Sequence, residues 1–396
     1  MPKHIWSEVD DVTEYENLQP VGSGPFLVET WEPRSYLHLV KDPNYWRGPA
    51  HIDELIIRVY TDATAQILAL QRGEVDIIPD LVGSEAVIDL LRDDPDLKVH
   101  VAEFNNIWYW ACNMRIYPLH LKEVRQAMSL VVDRQEVIDR AMSGYAGMPL
   151  MGYFAPSVEK WANPSLTWRG LNMSQEERVS QANAILDGLG FMPGKDGIRV
   201  TDRGEKMSFE FNAPSAYPSY IRAVEMVKGY CEEIGIEILV MSRDISTLYS
   251  GMVFSMEQPL SWDMVIGAAT PLPEPSDFVA RWATEKGAWS FARVFGFEDE
   301  SDEVQRELVR EEFERFRSLA MQSDKAMDES ERWELLQEAQ KLFADNFYNI
   351  TLGHRYGAMA HRIDKFTGWN LAEVAYEDMR YPLNSLQNLL SVRPAR

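Results

Sequence analysis

Tryptophan is the residue type whose number and spacing in this sequence could do chemistry. The chain has 12 Trp among 396 residues. Trp108 and Trp110 stand two residues apart in an apolar stretch, so on a β-strand they would share one face. Trp262, Trp282 and Trp289 lie within one proline-containing segment. Flat apolar rings suit the capture of sugars or of peptide side chains through buried area and stacking, and the alternative is that these indoles pack a core.

Signatures of catalysis, of metal binding and of phosphate binding are scarce. The sequence contains no G-x-S-x-G, H-E-x-x-H, P-loop or post-strand G-x-G-x-x-G motif. The segment Gly22–Gly24 runs into a predicted strand rather than into a helix start, which argues against a phosphate cradle. The segment Gly194–Gly204 lacks the alternating carboxylates of a calcium loop and predicts a β-hairpin. His354 and His361 are interpreted as structural residues rather than as a metal-binding pair. Taken together, these observations predict no enzyme activity, no cofactor and no metal site.

The charge balance excludes several classes of partner. The chain carries 39 Lys and Arg against 62 Asp and Glu, for a net charge of −23. Nucleic acids and anionic membrane surfaces would be repelled, because binding to both depends on basic side chains. No apolar run approaches the roughly 18–20 residues of a membrane span, and the first residues lack the pattern of a signal peptide. Cys112 and Cys231 are predicted to be two free thiols rather than a disulfide.

The elements that must position these side chains begin with an α/β pattern. Phe26–Thr30 and Tyr36–Val40 alternate apolar and polar residues as the strands of a hairpin do. Ile52–Tyr60 is a predicted strand, and a helix over Ala63–Arg72 separates it from a further strand over Val75–Pro79. A strand, a helix and a strand within thirty residues favour a parallel α/β sheet.

The remainder of the chain repeats this alternation and ends in long helices. An apolar, aromatic strand region covers Leu97–Asn113. Further predicted elements are helices Lys122–Val132 and Gln135–Met142, a helix after the capping box Ser174–Glu177, strand Phe209–Asn212, helix Ser219–Ile234, strand Ile236–Met241, and helices Val304–Met321 and Ser330–Phe347. In the last helix, apolar spacing predicts a buried stripe formed by Trp333, Leu336, Gln340, Phe343 and Phe347.

Seven short motifs follow one another in order between residues 18 and 350. They are Pro20–Phe26 (PVGSGPF), Asn44–Asp53 (NYWRGPAHID), Leu70–Ile77 (LQRGEVDI), Val124–Arg134 (VRQAMSLVVDR), Gly144–Gly147 (GYAG), Ala184–Arg199 (AILDGLGFMPGKDGIR) and Ile234–Ile236 (IGI). In this order the motifs resemble family 5 of the extracellular solute-binding proteins, which are the dipeptide, oligopeptide and nickel receptors of ABC importers.

The resemblance implies a type II periplasmic-binding-protein-like fold, an α/β architecture of two lobes joined by hinge crossovers. Lobe I would comprise residues 18–104 and 374–396, and lobe II residues 112–367. The hinge crossings would lie near 105–111 and 368–373, with 1–17 as a lead-in remnant. The family's export segment and small N-terminal inserted domain have no counterpart in this sequence, so we expect the C-terminal portion of an exported receptor.

The same resemblance implies a function in transport. The expected protein captures an oligopeptide- or oligosaccharide-like solute between its lobes and delivers it to the permease of an ABC importer. It would act as a monomer in the periplasm or outside the cell, with a lipoprotein anchor possible, and without a cofactor. The alternative is a hydrolase with its site in the cleft, or a sensor domain built on the same fold.

The resemblance also indicates a set of ligand-binding residues and a departure from the family pattern. The predicted residues are Trp108, Trp110, Asn113, Tyr217, Trp262, Gly267, Ala268, Pro271, Trp282 and Trp289. Peptide receptors carry a GWxxD stretch whose aspartate pairs with the ammonium group of the ligand. Ala268 and Pro271 replace its Trp and Asp. The arginine that dipeptide receptors use for the ligand carboxylate has no clear equivalent near Ala213–Tyr217, and Arg222 is the nearest candidate. We therefore expect longer peptides or oligosaccharides rather than dipeptides, because a buried ammonium without a partner is costly. A metal chelate is a further alternative with little support in the sequence.

Overall fold

A computed structural model describes residues 2–12, 14–81, 85–103, 106–152, 154, 158, 160–249, 262–269, 303–369 and 386–395, with the backbone alone for 303–309 and 386–388. The chain divides into two compact units. The first unit comprises residues 1–82, 87–102 and 357–396, and the second unit comprises residues 83–86 and 103–356.

The secondary structure alternates strands and helices. The helices are α1 (Lys3–Trp6), α2 (Ala63–Gln71), α3 (Ile88–Arg92), α4 (Lys122–Val131), α5 (Arg134–Ala141), α6 (Gln175–Gly188), α7 (Pro218–Glu232), α8 (Glu303–Lys325), α9 (Glu329–Asp345) and α10 (Leu386–Ser391). The strands are β1 (Phe26–Glu32), β2 (Tyr36–Lys41), β3 (Glu54–Arg58), β4 (Ile77–Ile78), β5 (Leu97–Ala102), β6 (Ile107–Cys112), β7 (Ala146–Gly147), β8 (Met192–Pro193), β9 (Arg199–Val200), β10 (Ser208–Pro214), β11 (Glu237–Arg243), β12 (Met264–Ala269), β13 (Ile350–Arg355), β14 (Gly357–Arg362), β15 (Phe366–Thr367) and β16 (Arg393–Pro394).

The first unit contains two three-stranded antiparallel sheets. One has the order β1-β2-β3 and includes the predicted hairpin, and the other has the order β4-β14-β5. Helix α2 begins at Asp62, whose side chain accepts a hydrogen bond from the Ala65 N–H, and ends before Gly73, which has a φ of +71°. The expected parallel sheet is corrected here, because β3 and β4 flank α2 in sequence but belong to different sheets.

The second unit is built on a six-stranded mixed sheet with the order β11-β10-β12-β6-β13-β7. Strand β10 runs parallel to both β11 and β12, whereas β6 runs antiparallel to its neighbours β12 and β13. The hairpin predicted over Gly194–Gly204 is present with a shifted start, because β8 (Met192–Pro193) precedes Gly194 and only its partner β9 lies within the predicted segment. The capping box at the start of α6 is also present, with Ser174 and Glu177 bonded to each other's backbone N–H groups.

Strand β6 is buried on both faces, because helices cover both sides of the sheet. Its alternate residues face two different hydrophobic clusters. Trp108 and Trp110 face the cluster that contains α4, α6 and α7, as their spacing predicts. Tyr109 faces the cluster that contains α8 and α9. The second unit is therefore a three-layer α/β structure with β6 inside it.

Two arginines of the predicted motif Val124–Arg134 are structural. Arg125 donates hydrogen bonds to the carbonyl groups of Leu119, Asn346 and Phe347, at 2.7–3.1 Å. Arg134 donates to the carbonyl groups of Ser129, Val132 and Thr351 and to the Ser129 hydroxyl. Burial lowers the pKa of the Arg134 guanidinium to about 9. Arg125 thus connects α4 to the residues that follow α9, and Arg134 connects α5 to β13.

Two further expectations are corrected. The family resemblance predicts the return crossing near 368–373, but β13 ends at Arg355 and β14 begins at Gly357. Strand β14, which is predicted to belong to lobe II, pairs with β5 along six residues of the first unit, so the change of unit occurs at Tyr356. Trp333 is predicted to lie within a buried stripe, but it is 45% exposed, since its side of α9 faces solvent.

Candidate functional site

One edge of the sheet in the second unit collects the ends of several strands. Strands β10, β11, β12 and β13 all end at this edge, and the antiparallel β6 begins there. In α/β proteins, ligands bind beyond the carboxyl ends of the parallel strands. This carboxyl edge is therefore the candidate functional site of the second unit.

Gly267 allows two phenol groups to approach strand β12 closely. It lies opposite Tyr109 in the pairing of β12 with β6. A Cβ atom at this position would lie 2.9 Å from Oη of Tyr109 and 3.3 Å from Oη of Tyr249. The Tyr249 hydroxyl donates a 3.0 Å hydrogen bond to the carbonyl group of Ile266. Burial, with Tyr220 and Tyr217 nearby, raises the pKa of Tyr249 well above its usual range, so this phenol stays neutral.

Three further rings lie at the same edge on the other face of the sheet. Tyr217 immediately precedes α7, and its ring packs edge-on against Tyr220 with centroids 5.2 Å apart. Tyr220 in turn packs against Trp108 at 5.8 Å. We refer to these five residues, Trp108, Tyr109, Tyr217, Tyr220 and Tyr249, as the edge cluster. Within it Tyr217 is partly exposed, and so is the neighbouring Ala268, which lies opposite Trp108 on β12.

The structure brings together only some of the predicted site residues. Trp108, Tyr217, Gly267 and Ala268 meet at the carboxyl edge.

Asn113 and Trp262 lie at the opposite edge, which corrects the expectation of a single site. There the Asn113 amide donates a 2.8 Å hydrogen bond to the Trp262 carbonyl group. The two edges are about five strand residues apart, or roughly 16 Å at about 3.3 Å per residue.

For three of the predicted tryptophans the structure favours the alternative that the indole packs a core. Trp108 and Trp110 have no exposed area, and Trp262 is 1% exposed. Trp110 lies in mid-strand, where its Nε1 is 3.1 Å from Met264 Sδ and its ring packs against Phe211. Trp110 is therefore a core residue, and Trp108 is a buried residue whose ring packs against Tyr220. Helices on both faces of β6 explain this burial.

Three predicted residues, Pro271, Trp282 and Trp289, lie outside the described residues. Arg222, the nearest candidate for a ligand carboxylate, donates a hydrogen bond to the Ala141 carbonyl group instead.

Sequence reasoning missed Tyr109, Tyr220 and Tyr249. The spacing of Tyr217 and Tyr220, three residues apart at a helix start, is the signal that could have found one of them.

Within the described ranges, no group of three or more His, Cys, Asp and Glu residues is arranged to hold a metal ion. Among the helices in those ranges, none has both the length and the apolar character that a membrane span requires.

Comparison with known proteins places these features in context. Residues 1–290 match the family profile described as "Bacterial extracellular solute-binding proteins, family 5 Middle". The oligopeptide-binding protein AppA of Bacillus subtilis is 24% identical over 297 residues, which cover 72% of this chain and 52% of AppA. The nickel-binding periplasmic protein of Escherichia coli is 24% identical over 276 residues, covering 66% of this chain and 50% of that protein. The chain thus spans about half the length of the curated relatives it matches.

Solved structures show the same fold. AppA from Bacillus subtilis in complex with a nonapeptide superposes with a TM-score of 0.78 at 18% identity, covering 100% of this chain and 72% of AppA. NikZ from Campylobacter jejuni in complex with Ni(L-His) superposes with a TM-score of 0.77 at 17% identity, covering 98% of this chain and 72% of NikZ. At these identities the likeness concerns the fold.

Proposed function

Because the chain belongs to family 5 of the bacterial extracellular solute-binding proteins, we propose that it is the solute receptor of an ABC importer. The observation that carries this proposal is the family match over residues 1–290. The type II periplasmic-binding fold, which the chain shares with AppA and NikZ, agrees with it. In this role the protein works outside the cytoplasmic membrane as a monomer and passes its solute to a membrane permease.

The proposed solute is an oligopeptide of four or more residues. Two members of the edge cluster, Tyr217 and Tyr249, are partly exposed and offer apolar ring surface together with a hydroxyl group. The Tyr249 phenol stays uncharged at neutral pH. Such groups suit peptide backbone and side chains, whereas an ammonium group taken out of water requires a paired anion. Ala268 and Pro271 occupy the positions at which peptide receptors carry Trp and Asp, which disfavours dipeptides. AppA, an oligopeptide-binding protein, is among the relatives.

Calorimetric titration of the 396-residue chain with dipeptides, with peptides of four to nine residues and with oligosaccharides tests this proposal. We expect saturable one-to-one binding of the longer peptides. The variant Tyr217→Ala should weaken that binding at least tenfold, because it removes a partly exposed ring of the edge cluster. Trp333→Ala is the matched control, since this exposed indole on α9 is not a member of the edge cluster.

The outcomes separate the proposal from its alternatives. A folded chain that binds no peptide contradicts it, and circular dichroism establishes that the chain is folded. Binding of oligosaccharides alone would replace the peptide with a sugar. Release of cleaved peptide during the titration, detected by mass spectrometry, would favour a hydrolase.

A further inference from the structure

A cluster of histidine and methionine lies in the first unit, on strands β5 and β14. Strands β5 and β14 pair antiparallel, with His100 opposite Met359 and Lys98 opposite His361. Residues two apart on a strand share a face, so His100, Met359 and His361 project from the same side of this sheet. Side chains directly opposite each other have Cβ atoms about 4.5–5.5 Å apart, so the Met359 side chain is a direct neighbour of His100.

The two imidazoles meet edge to edge. Their Nε2 atoms are 3.2 Å apart, the ring planes differ by 13°, and the ring centroids are 5.3 Å apart. Rings stacked face to face would have much closer centroids, so the two Nε2 atoms point towards each other. In the metal-free protein this is a hydrogen bond in which one imidazole donates and the other accepts.

Hydrogen bonding determines which ring accepts. His361 Nδ1 lies 3.1 Å from the Arg362 carbonyl oxygen, which has no proton to donate, so Nδ1 is the protonated nitrogen. The Nε2 of His361 therefore carries a lone pair directed at His100. A backbone carbonyl that holds the distal nitrogen of an imidazole in this way is the usual outer contact of a metal-binding histidine. Burial, helped by Lys98, lowers the pKa of both rings, that of His361 to about 4, so both are neutral at pH 7.

We propose that His100, His361 and Met359 form a binding site for a soft monovalent metal ion of the copper(I) class. Two imidazole nitrogens that bind one metal at about 2.0–2.1 Å with tetrahedral angles lie about 3.3 Å apart, close to the spacing of the two Nε2 atoms. Imidazole and thioether together are a ligand set that selects copper(I). To bind, His100 moves its proton from Nε2 to Nδ1, so both Nε2 lone pairs reach the metal and no proton is released.

Charge and shielding agree with a monovalent ion. Lys98 lowers the pKa of both imidazoles, and this cation opposes a divalent metal more strongly than a monovalent one. His361 is 3% exposed, and the Trp369 ring packs against it at 5.3 Å, so one side of the site is shielded from water. The more open His100 provides access for the metal. This site does not depend on the proposed transport function.

The test uses the 396-residue chain with Ag(I), a redox-stable substitute, and with Cu(I) under anaerobic competition against bicinchoninate. We expect one ion per chain at this site and quenching of Trp369 fluorescence that is lost in Trp369→Phe. His100→Gln and Met359→Leu should each weaken binding at least tenfold. His38→Gln is the matched control, because His38 also lies on a strand of the first unit, and it should bind as the parent chain does.

Two results would overturn the proposal. One is His100→Gln binding Ag(I) as tightly as the parent chain, and the other is Zn(II) binding at the cluster as tightly as Cu(I). The ¹⁵N chemical shifts of the histidine rings identify the liganded nitrogens independently of affinity. A shift at Nε2 of His100 and His361 supports the site, and shifts confined to other histidines count against it.

Discussion

Gly267 and Tyr109 lie directly opposite each other across strands β12 and β6, and a Cβ atom at Gly267 would come within 2.9 Å of the Tyr109 hydroxyl. The close approach requires glycine at position 267, because the Tyr249 hydroxyl would also lie within 3.3 Å of the Cβ atom of any other residue. A substitution at Gly267 therefore tests the packing of the edge cluster.

We expect Gly267→Ala to destabilise the protein by about 1–3 kcal/mol, because the added methyl group overpacks the edge cluster. Urea denaturation followed by circular dichroism measures the change. Gly229→Ala is the control, since a Cβ atom at this position in the last turn of α7 meets nothing within 4 Å and alanine is a better helix former than glycine. Equal stability of Gly267→Ala and the parent chain would contradict the close contact between the strand and the two phenols.

Arg134 should contribute strongly to the stability of the fold. Replacing it with Met leaves the carbonyl groups of Ser129, Val132 and Thr351 without their buried donor, and we expect a loss of at least about 3 kcal/mol in the free energy of unfolding. Chemical denaturation measures this loss. Arg140→Met, on the exposed side of the same helix, removes only a surface pair with Glu136 and should change stability by less than about 1 kcal/mol. Similar losses in the two variants would refute the structural role of Arg134.

His354 should make the protein less stable in mild acid. Burial lowers its pKa from 6.5 to about 4, and its Nε2 accepts a hydrogen bond from the Leu150 N–H only while the ring is neutral. Between these values the unfolded chain binds a proton that the folded chain does not, so the contribution is complete above pH 6.5 and is lost as the pH falls towards 4. Urea midpoints measured across this range should fall less steeply in His354→Gln, and an unchanged slope would argue against this assignment.

The two cysteines should be unreactive in the folded protein. Cys112 and Cys231 are free and buried, and burial raises the pKa of both thiols, that of Cys112 to about 12. Because the thiolate is the reactive form, Ellman's reagent should detect no thiol in the native chain and two after unfolding in urea. A native chain that reacts at once, or an unfolded chain without thiols under non-reducing conditions, would contradict this state.

Local elements were predictable because their determinants are close together in sequence. The hydrogen bond of Asp62 at the start of α2, the capping box at Ser174 and the hairpin β1–β2 each depend on neighbouring residues. The ordered motifs were also visible in the sequence, and they predicted the family that the comparison confirms. The alternation of a strand likewise placed Trp108 and Trp110 on one face.

The tertiary structure alone decided which residues form the candidate site. The sequence shows that Trp110 and Trp108 share a face, but not that α4 and α7 cover it completely. Asn113 follows the last residue of β6, and Gly267 lies near the end of β12. Because the two strands run antiparallel, their ends lie at opposite edges of the sheet.

The pairs His100–His361 and Tyr109–Gly267 also depend on the tertiary structure. Each pair joins strands far apart in the chain, so its register depends on long-range pairing that no local pattern encodes. The sequence by itself determined the local elements and the family. The fold decided which side chains meet.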